Sequence, residues 1–131
     1  MNKIFAIFFM LVFFASCGKD VDLSNSQLKP VDTLTAFDKE INKGVSMVFF
    51  HATWCSICKA QRPAVEDAAK NDKLKFVNFL QVDTDHNRDI TQKYSVPGQP
   101  VILFMKDGQE KHRLAGSGHT QQKIADILLS L

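Results

Sequence analysis

Apolar positions along this chain change their spacing several times, and each change marks an element. Ile4 to Ala15 is an unbroken apolar run with no polar face. Between Thr33 and Lys43, Leu34, Phe37 and Ile41 lie on one helical stripe, and Gly44 stands where a helix would stop. Val45 to Phe50 is an apolar run rich in β-branched and aromatic residues, which predicts a buried strand. Ala60, Ala64, Val65 and Ala68 recur at helical spacing and predict a helix from Ser56 to about Lys70, kinked by Pro63. A second strand is expected over Lys75 to Asp83 and a short helix over Asn87 to Tyr94, where Ile90 and Tyr94 are one turn apart. Val101 to Met105 predicts a third strand. Lys106-Asp107-Gly108-Gln109 carries the Asp-Gly signal of a hairpin turn, and Glu110 to Ala115 pairs back as a fourth strand. Ile124, Ile127, Leu128 and Leu131 form the stripe of a last helix, Thr120 to Leu131. The order αβαβαββα implies an α/β domain with a mixed sheet and helices on both faces.

The first apolar run asks for a separate reading. Lys3 precedes it, and the small residues Ala15 and Ser16 follow it before Cys17. That is the shape of a secretory signal. The run is short for a bilayer span, which needs about 20 residues. Phe14-Ala15-Ser16-Cys17 resembles a bacterial lipoprotein signal, although Phe14 stands where Leu or another aliphatic residue is usual. The resemblance implies cleavage before Cys17 and lipidation of Cys17. The chain would then be exported and held on a membrane of the bacterial cell envelope by buried acyl CH₂ groups, facing the periplasm or the cell surface. Lys19-Asp20-Val21-Asp22 is similar to surface-export signals of some lipoproteins. Residues 17–30 are polar and read as a flexible tether. The expected organisation is a signal over 1–16, the tether over 17–30 and a single folded domain over 31–131.

Composition narrows the function classes. The formal charge is +2, with 16 basic and 14 acidic residues interspersed. No basic stripe forms, so nucleic acid is not an expected partner. The length of 131 residues suggests one domain, and a monomer is expected.

Once the lipid accounts for Cys17, the domain holds two cysteines, Cys55 and Cys58, separated by Ser56 and Ile57. They fall between a predicted strand and the start of a predicted helix. A helix N-terminus carries unsatisfied N–H groups and partial positive charge, which stabilise a thiolate. Cys55 is then the attacking thiol, and Cys58, three positions on, can resolve the mixed disulfide. Lys59 and Arg62 add positive charge and are read as solvated. Other readings stay open. The pair can be a structural disulfide, although so small a loop contributes modest entropy. His51-X₃-Cys55-X₂-Cys58 offers three ligands to Zn²⁺ or Cu⁺, which would make this a metal-binding protein. A holdase-like interaction protein would treat the cysteines as incidental. His86, His112 and His119 read as surface residues, and Asp83 and Asp85 as turn and helix-cap residues.

Trp54-Cys55-Ser56-Ile57-Cys58-Lys59, with Pro63 five residues after the second cysteine, resembles the active site of the thioredoxin superfamily. Val96-Pro97-Gly98-Gln99-Pro100-Val101-Ile102-Leu103-Phe104 is similar to the segment around that family's cis-proline, and Gly116 matches a further family glycine. The resemblance spans about Leu34 to Leu131 and implies a thioredoxin fold and a thiol:disulfide oxidoreductase acting on protein disulfides or thiols. Cys55 and Cys58 would be catalytic. Trp54, Ser56, Ile57, Gln99 and Pro100 would shape the substrate groove, with Trp54 shielding Cys55 and backbone near Gln99 pairing with a substrate strand. No organic cofactor and no metal are implied, because the dithiol carries the two electrons. The segments FLQVD, VPGQPVILFMKDGQE and LAG look like the periplasmic carboxy-terminal domain of membrane thiol:disulfide interchange reductases. That likeness implies a reductase recharged by a membrane electron donor, with an oxidase or isomerase on the same fold as the alternative. The exported, tethered setting is also similar to thioredoxin-like proteins of cytochrome c maturation. Two departures stand out. Phe49 occupies the position where thioredoxins bury an acid, so a slower resolving step or a different proton acceptor is expected. Gln99 replaces the Thr, Val or Ile usual before the cis-proline.

Overall fold

The structure, a computed structural model, describes residues 20–131. The expected signal over 1–16 and the lipidation residue Cys17 lie outside the described residues. Among those described, no helix is long and apolar enough to cross a membrane.

Nine main elements follow one another: β1 (Lys29–Pro30), α1 (Leu34–Ile41), β2 (Val45–His51), α2 (Ser56–Ala69), β3 (Asn78–Asp83), α3 (Arg88–Lys93), β4 (Val101–Lys106), β5 (Gln109–Ala115) and α4 (Gln121–Leu129). The five strands lie in the order β1-β3-β2-β4-β5. β1 and β2 run parallel to β3, while β4 is antiparallel to β2 and to β5. This is the mixed α/β sheet that the periodicity predicts.

β2 is buried at every position because it is central in the sheet and covered on both faces. Its alternating side chains divide the interior into two cores. Met47 and Phe49 join Val65, Ala68, Phe104, Ile124 and Leu128 on the α2/α4 face. Val48 and Phe50 join Phe37, Ile41, Leu80, Ile90 and Leu103 on the α1/α3 face. α1 begins where the Thr33 side chain accepts the Ala36 N–H at 3.2 Å, and it buries Phe37 and Ile41 one turn apart. The β4–β5 turn has positive φ at Asp107 (47°) and Gly108 (81°), the backbone of a two-residue hairpin. A Cβ on Gly108 would clash only with the side-chain oxygen of Asn42, which can swing aside, so it is the positive φ that favours glycine here.

The structure departs from the expected elements at two places. β3 starts at Asn78, not Lys75. Asn71 accepts the Lys73 N–H at 3.0 Å and starts a 3₁₀ turn over Asp72–Leu74, leaving Phe76 exposed. The second departure is the end of the expected tether. Leu28 is buried, and Lys29–Pro30 adds an edge strand to β3, so the folded unit begins before residue 31. The polar residues just ahead of it are bonded rather than loose. Ser26 Oγ and the Gln27 N–H both donate to the Glu66 carboxylate, at 2.5 and 2.7 Å, and Gln81 Nε2 donates to the Leu28 carbonyl at 2.9 Å. Polar composition reads as tether when its partners are distant in sequence, which is why the boundary was misplaced.

Candidate active site

Parallel β2 and β3 end at the same pole of the sheet, and the Thr84 N–H donates to the His51 carbonyl there at 2.9 Å. β4 starts at this pole, with Val101 paired to Phe50. The Gln99–Pro100 segment therefore meets the loop that carries the cysteines. The Gln99–Pro100 peptide bond is cis, and Pro100 is buried. The Gly116 N–H donates to the Pro100 carbonyl at 2.9 Å, which ties the loop after β5 to the same region.

Cys55 is the N-cap of α2. Its Sγ accepts the Cys58 N–H at 3.2 Å, and Cys55 and Cys58 form a disulfide with their Cα atoms 5.2 Å apart. The sulfur acceptor satisfies one of the orphan N–H groups of the helix start. A helix start with its N–H aimed at sulfur in this way favours negative charge on that sulfur. Both cysteines are almost fully buried, at 4% and 2% exposure. Their immediate neighbours are not: Trp54 is 61% exposed and Ile57 50%, and Ser56 is exposed as well. An apolar rim around a recessed sulfur pair suits contact with another protein. The Trp54 indole N–H donates to Asp85 Oδ2 at 2.6 Å, which steadies the ring beside Cys55.

Gln99 is half-buried and accepts from Thr84 Oγ1 at 3.2 Å. It lines a cleft of about 310 Å³ with Thr84, Asp85, Arg88, Gln92 and Pro97. Asp85 belongs both to this cleft and to the Trp54 contact, so the two features share one residue.

Phe49 is fully buried in the same core as Cys55 and Cys58. The carboxylate that thioredoxins bury at this position is absent. What lies beside Phe49 is a cation. The Arg62 guanidinium sits 5.1 Å from its ring centroid, is 9% exposed, and donates to Gln81 at 3.0 Å and Glu66 at 3.2 Å. Arg62 was read from sequence as solvated; the structure buries it, because the helical stripe of Cys58 and Val65 carries it inward. Burial holds its pKa below the usual guanidinium value, opposed by the Glu66 carboxylate. Its Nη2 has no hydrogen-bond partner among the described residues.

His51 is 1% exposed and stacks on Phe49 with ring centroids 5.9 Å apart. Burial first, and then the Arg62 charge, push its pKa down to about 4, so the imidazole is neutral at pH 7. Among the described residues no group of three or more His, Cys, Asp or Glu side chains is arranged to hold a metal ion, and the two cysteine sulfurs are bonded to each other. The His51 ring is packed on Phe49, and its buried Nδ1 has no hydrogen-bond partner among the described residues.

Sequence reasoning missed several polar partners. Asp85 does not cap α3; Asn87 holds the cap position, and Asp85 holds Trp54. Asp83 does serve the turn, accepting the Asp85 N–H at 2.9 Å. Gln61 is buried and exchanges two hydrogen bonds with the His119 backbone, at 2.7 and 2.9 Å, pinning the loop after β5 to α2. A polar residue on an otherwise apolar helical stripe, as Gln61 and Arg62 are, was the available signal.

The Thioredoxin family profile matches residues 29–130, from β1 through α4. The chain belongs to the thioredoxin family. Staphylococcus aureus thioredoxin is 34% identical over 92 residues, covering 70% of this chain and 86% of the relative. Among solved structures, Fasciola hepatica thioredoxin superposes with a TM-score of 0.69 at 34% identity, covering 79% of this chain and 98% of its own. A thioredoxin from Malassezia sympodialis superposes at 0.71 with 24% identity, covering 79% and 89%, and supports the fold alone. The fold is the thioredoxin fold, and the Cys55-X-X-Cys58 pair makes this member a thiol:disulfide oxidoreductase of a family that acts on protein disulfides. The profile starts at Lys29, so the edge strand β1 belongs to the thioredoxin unit.

Proposed function

We propose that this thioredoxin relative is an exported, lipid-anchored reductase of protein disulfides. The observation that carries the reading is the recessed Cys55–Cys58 pair at the start of α2, with Cys58 N–H on Cys55 Sγ and an apolar rim of Trp54 and Ile57. The address comes from the apolar run Ile4–Ala15 and the Ala15-Ser16-Cys17 site. In the forward reaction the Cys55 thiolate attacks one sulfur of a substrate disulfide. A mixed disulfide forms and one substrate thiolate leaves. The Cys58 thiolate then attacks Cys55 Sγ, releasing the second substrate thiolate and closing Cys55–Cys58. Two electrons pass to the substrate, and a membrane dithiol donor restores the enzyme. Because Phe49 replaces the buried acid, no β2 carboxylate takes the Cys58 proton, so this second step is slowed or uses a different proton acceptor.

A second reading, a disulfide donor, is favoured by one observation. Arg62 lies four residues after Cys58 on the same helical stripe, and a buried cation near developing thiolates stabilises the reduced form. Glu66, paired with it, works against this effect.

The reduction potential of the Cys55–Cys58 pair decides between the two. The full chain in detergent would be equilibrated in thiol–disulfide buffers and its thiols counted. A value at or below about −270 mV, near thioredoxin's, supports the reductase; a value near about −120 mV overturns it in favour of a disulfide donor. If the pair forms no disulfide under any buffer, both redox readings fail.

A further inference from the structure

The arm ahead of β1 is docked, and where it ends has a consequence for the site. From β1 it runs back along α2, held by Ser26 and Gln27 on Glu66. Beyond that, the Val21 N–H donates to the Thr53 carbonyl at 3.3 Å. Thr53 is two residues before Cys55, at the pole of the molecule that carries the disulfide. The chain upstream of Val21 therefore leaves the domain beside the redox site.

Only three residues, and so four Cα–Cα steps, separate Val21 from Cys17. Fully extended they span about 14 Å, whereas a tether free to Pro30 would reach about 45 Å. Allowing for the path from Val21 to Cys55, a lipid carried on Cys17 would lie within roughly 30 Å of the disulfide. So short a leash, rooted at the active pole, would turn the pole with Trp54, Ile57 and the Gln99 cleft toward the surface that holds the anchor. A soluble substrate would have to enter a narrow gap. A protein embedded in that membrane, presenting a disulfide or dithiol just above the headgroups, is already there.

We propose that the redox site works close against the membrane and that its partner is a membrane-embedded protein carrying a disulfide or dithiol at the bilayer surface. The inference rests on the lipid-anchored reading above.

Trp54 is the chain's single tryptophan and sits at the site, so the native protein reports its own height. The full chain, purified from bacterial membranes, would be reconstituted into vesicles of phosphatidylethanolamine and phosphatidylglycerol bearing a dansyl headgroup. Energy transfer from Trp54 to the dansyl lipid is expected to be strong. It should fall several-fold when a flexible Gly-Ser insert as long as the expected tether is placed between Lys19 and Asp20. Co-sedimentation is read on the same samples. A chain that co-sediments but transfers no more than its insert variant overturns the proposal and leaves the anchor standing. A chain that does not co-sediment removes the anchor, and the proposal with it. In parallel, Cys58→Ser would hold mixed disulfides in intact cells. Adducts with integral membrane proteins should drop several-fold with the insert, and adducts confined to soluble proteins, unchanged by it, overturn the choice of partner.

Discussion

Arg62 and His51 show how single buried groups set the character of this site. Arg62 and Glu66 are both largely buried, with side-chain exposures of 11% and 15%, and they are paired at 3.2 Å. Removing one partner leaves the other charge buried with only neutral hydrogen-bond partners, Ser26 and Gln27 for Glu66 and Gln81 for Arg62, which costs about 1–3 kcal/mol. Arg62→Met is therefore expected to lower the denaturant midpoint strongly. Arg62→Met/Glu66→Gln should lose clearly less than the sum of the two single variants, since residues in one network do not act additively. Additive losses would show that the pair is not coupled. His51 makes an opposite demand. Its pKa falls from 6.5 in the unfolded chain to about 4 in the folded one. Between those values the unfolded state binds more protons, so stability is complete above pH 6.5 and drains away as pH falls toward 4. An acid titration of thermal stability should show that slope, and His51→Phe, which keeps a ring on Phe49, should flatten it.

At the scale of elements, the arm and β1 are part of the fold and not an appendage. Leu28 is 2% exposed within the α2/α4 core, so Leu28→Ala is expected to cost about 2–4 kcal/mol. Lys29→Ala removes only a surface pair with Glu40, with Lys29 59% exposed, and should cost under about 1 kcal/mol. Urea unfolding of the two variants separates a docked arm from a tether, because a tether would give near-zero changes for both. α2 has the central role among the helices. Its first turn places the sulfurs, its second carries Arg62 toward β3, and Glu66 receives the arm.

For the molecule as a whole, β2 divides the interior into two cores that differ in their relation to the chemistry. Phe49 shares a core with Cys55 and Cys58, and Phe37 belongs to the other. Each is fully buried, so Phe49→Ala and Phe37→Ala should each cost about 3–5 kcal/mol. Only Phe49→Ala is expected to shift the reduction potential, because it removes packing beneath the disulfide and the ring beside Arg62. Equal shifts from both would mean that potential merely follows global stability.

Much of this was legible in the chain itself. Local patterns placed α1, β2, α2 and the β4–β5 hairpin, since hydrophobic period, a helix stop at Gly44 and an Asp-Gly turn act over a few residues. The Cys55-X-X-Cys58 spacing at a strand-to-helix junction, with Trp54 before it and Pro63 after it, pointed to redox chemistry for the same reason. The tertiary structure decided whatever depends on residues far apart. Arg62 looked solvated until β3 supplied Gln81 as its partner, and Asp85 looked like a cap until Trp54 met it. Residues 21–30 looked like tether until Glu66, Gln81 and Thr53 received their hydrogen bonds. A polar side chain carries no local mark of burial. Only a partner brought close by the fold offsets its loss of water, and that partner is set by sheet order rather than by neighbours in sequence.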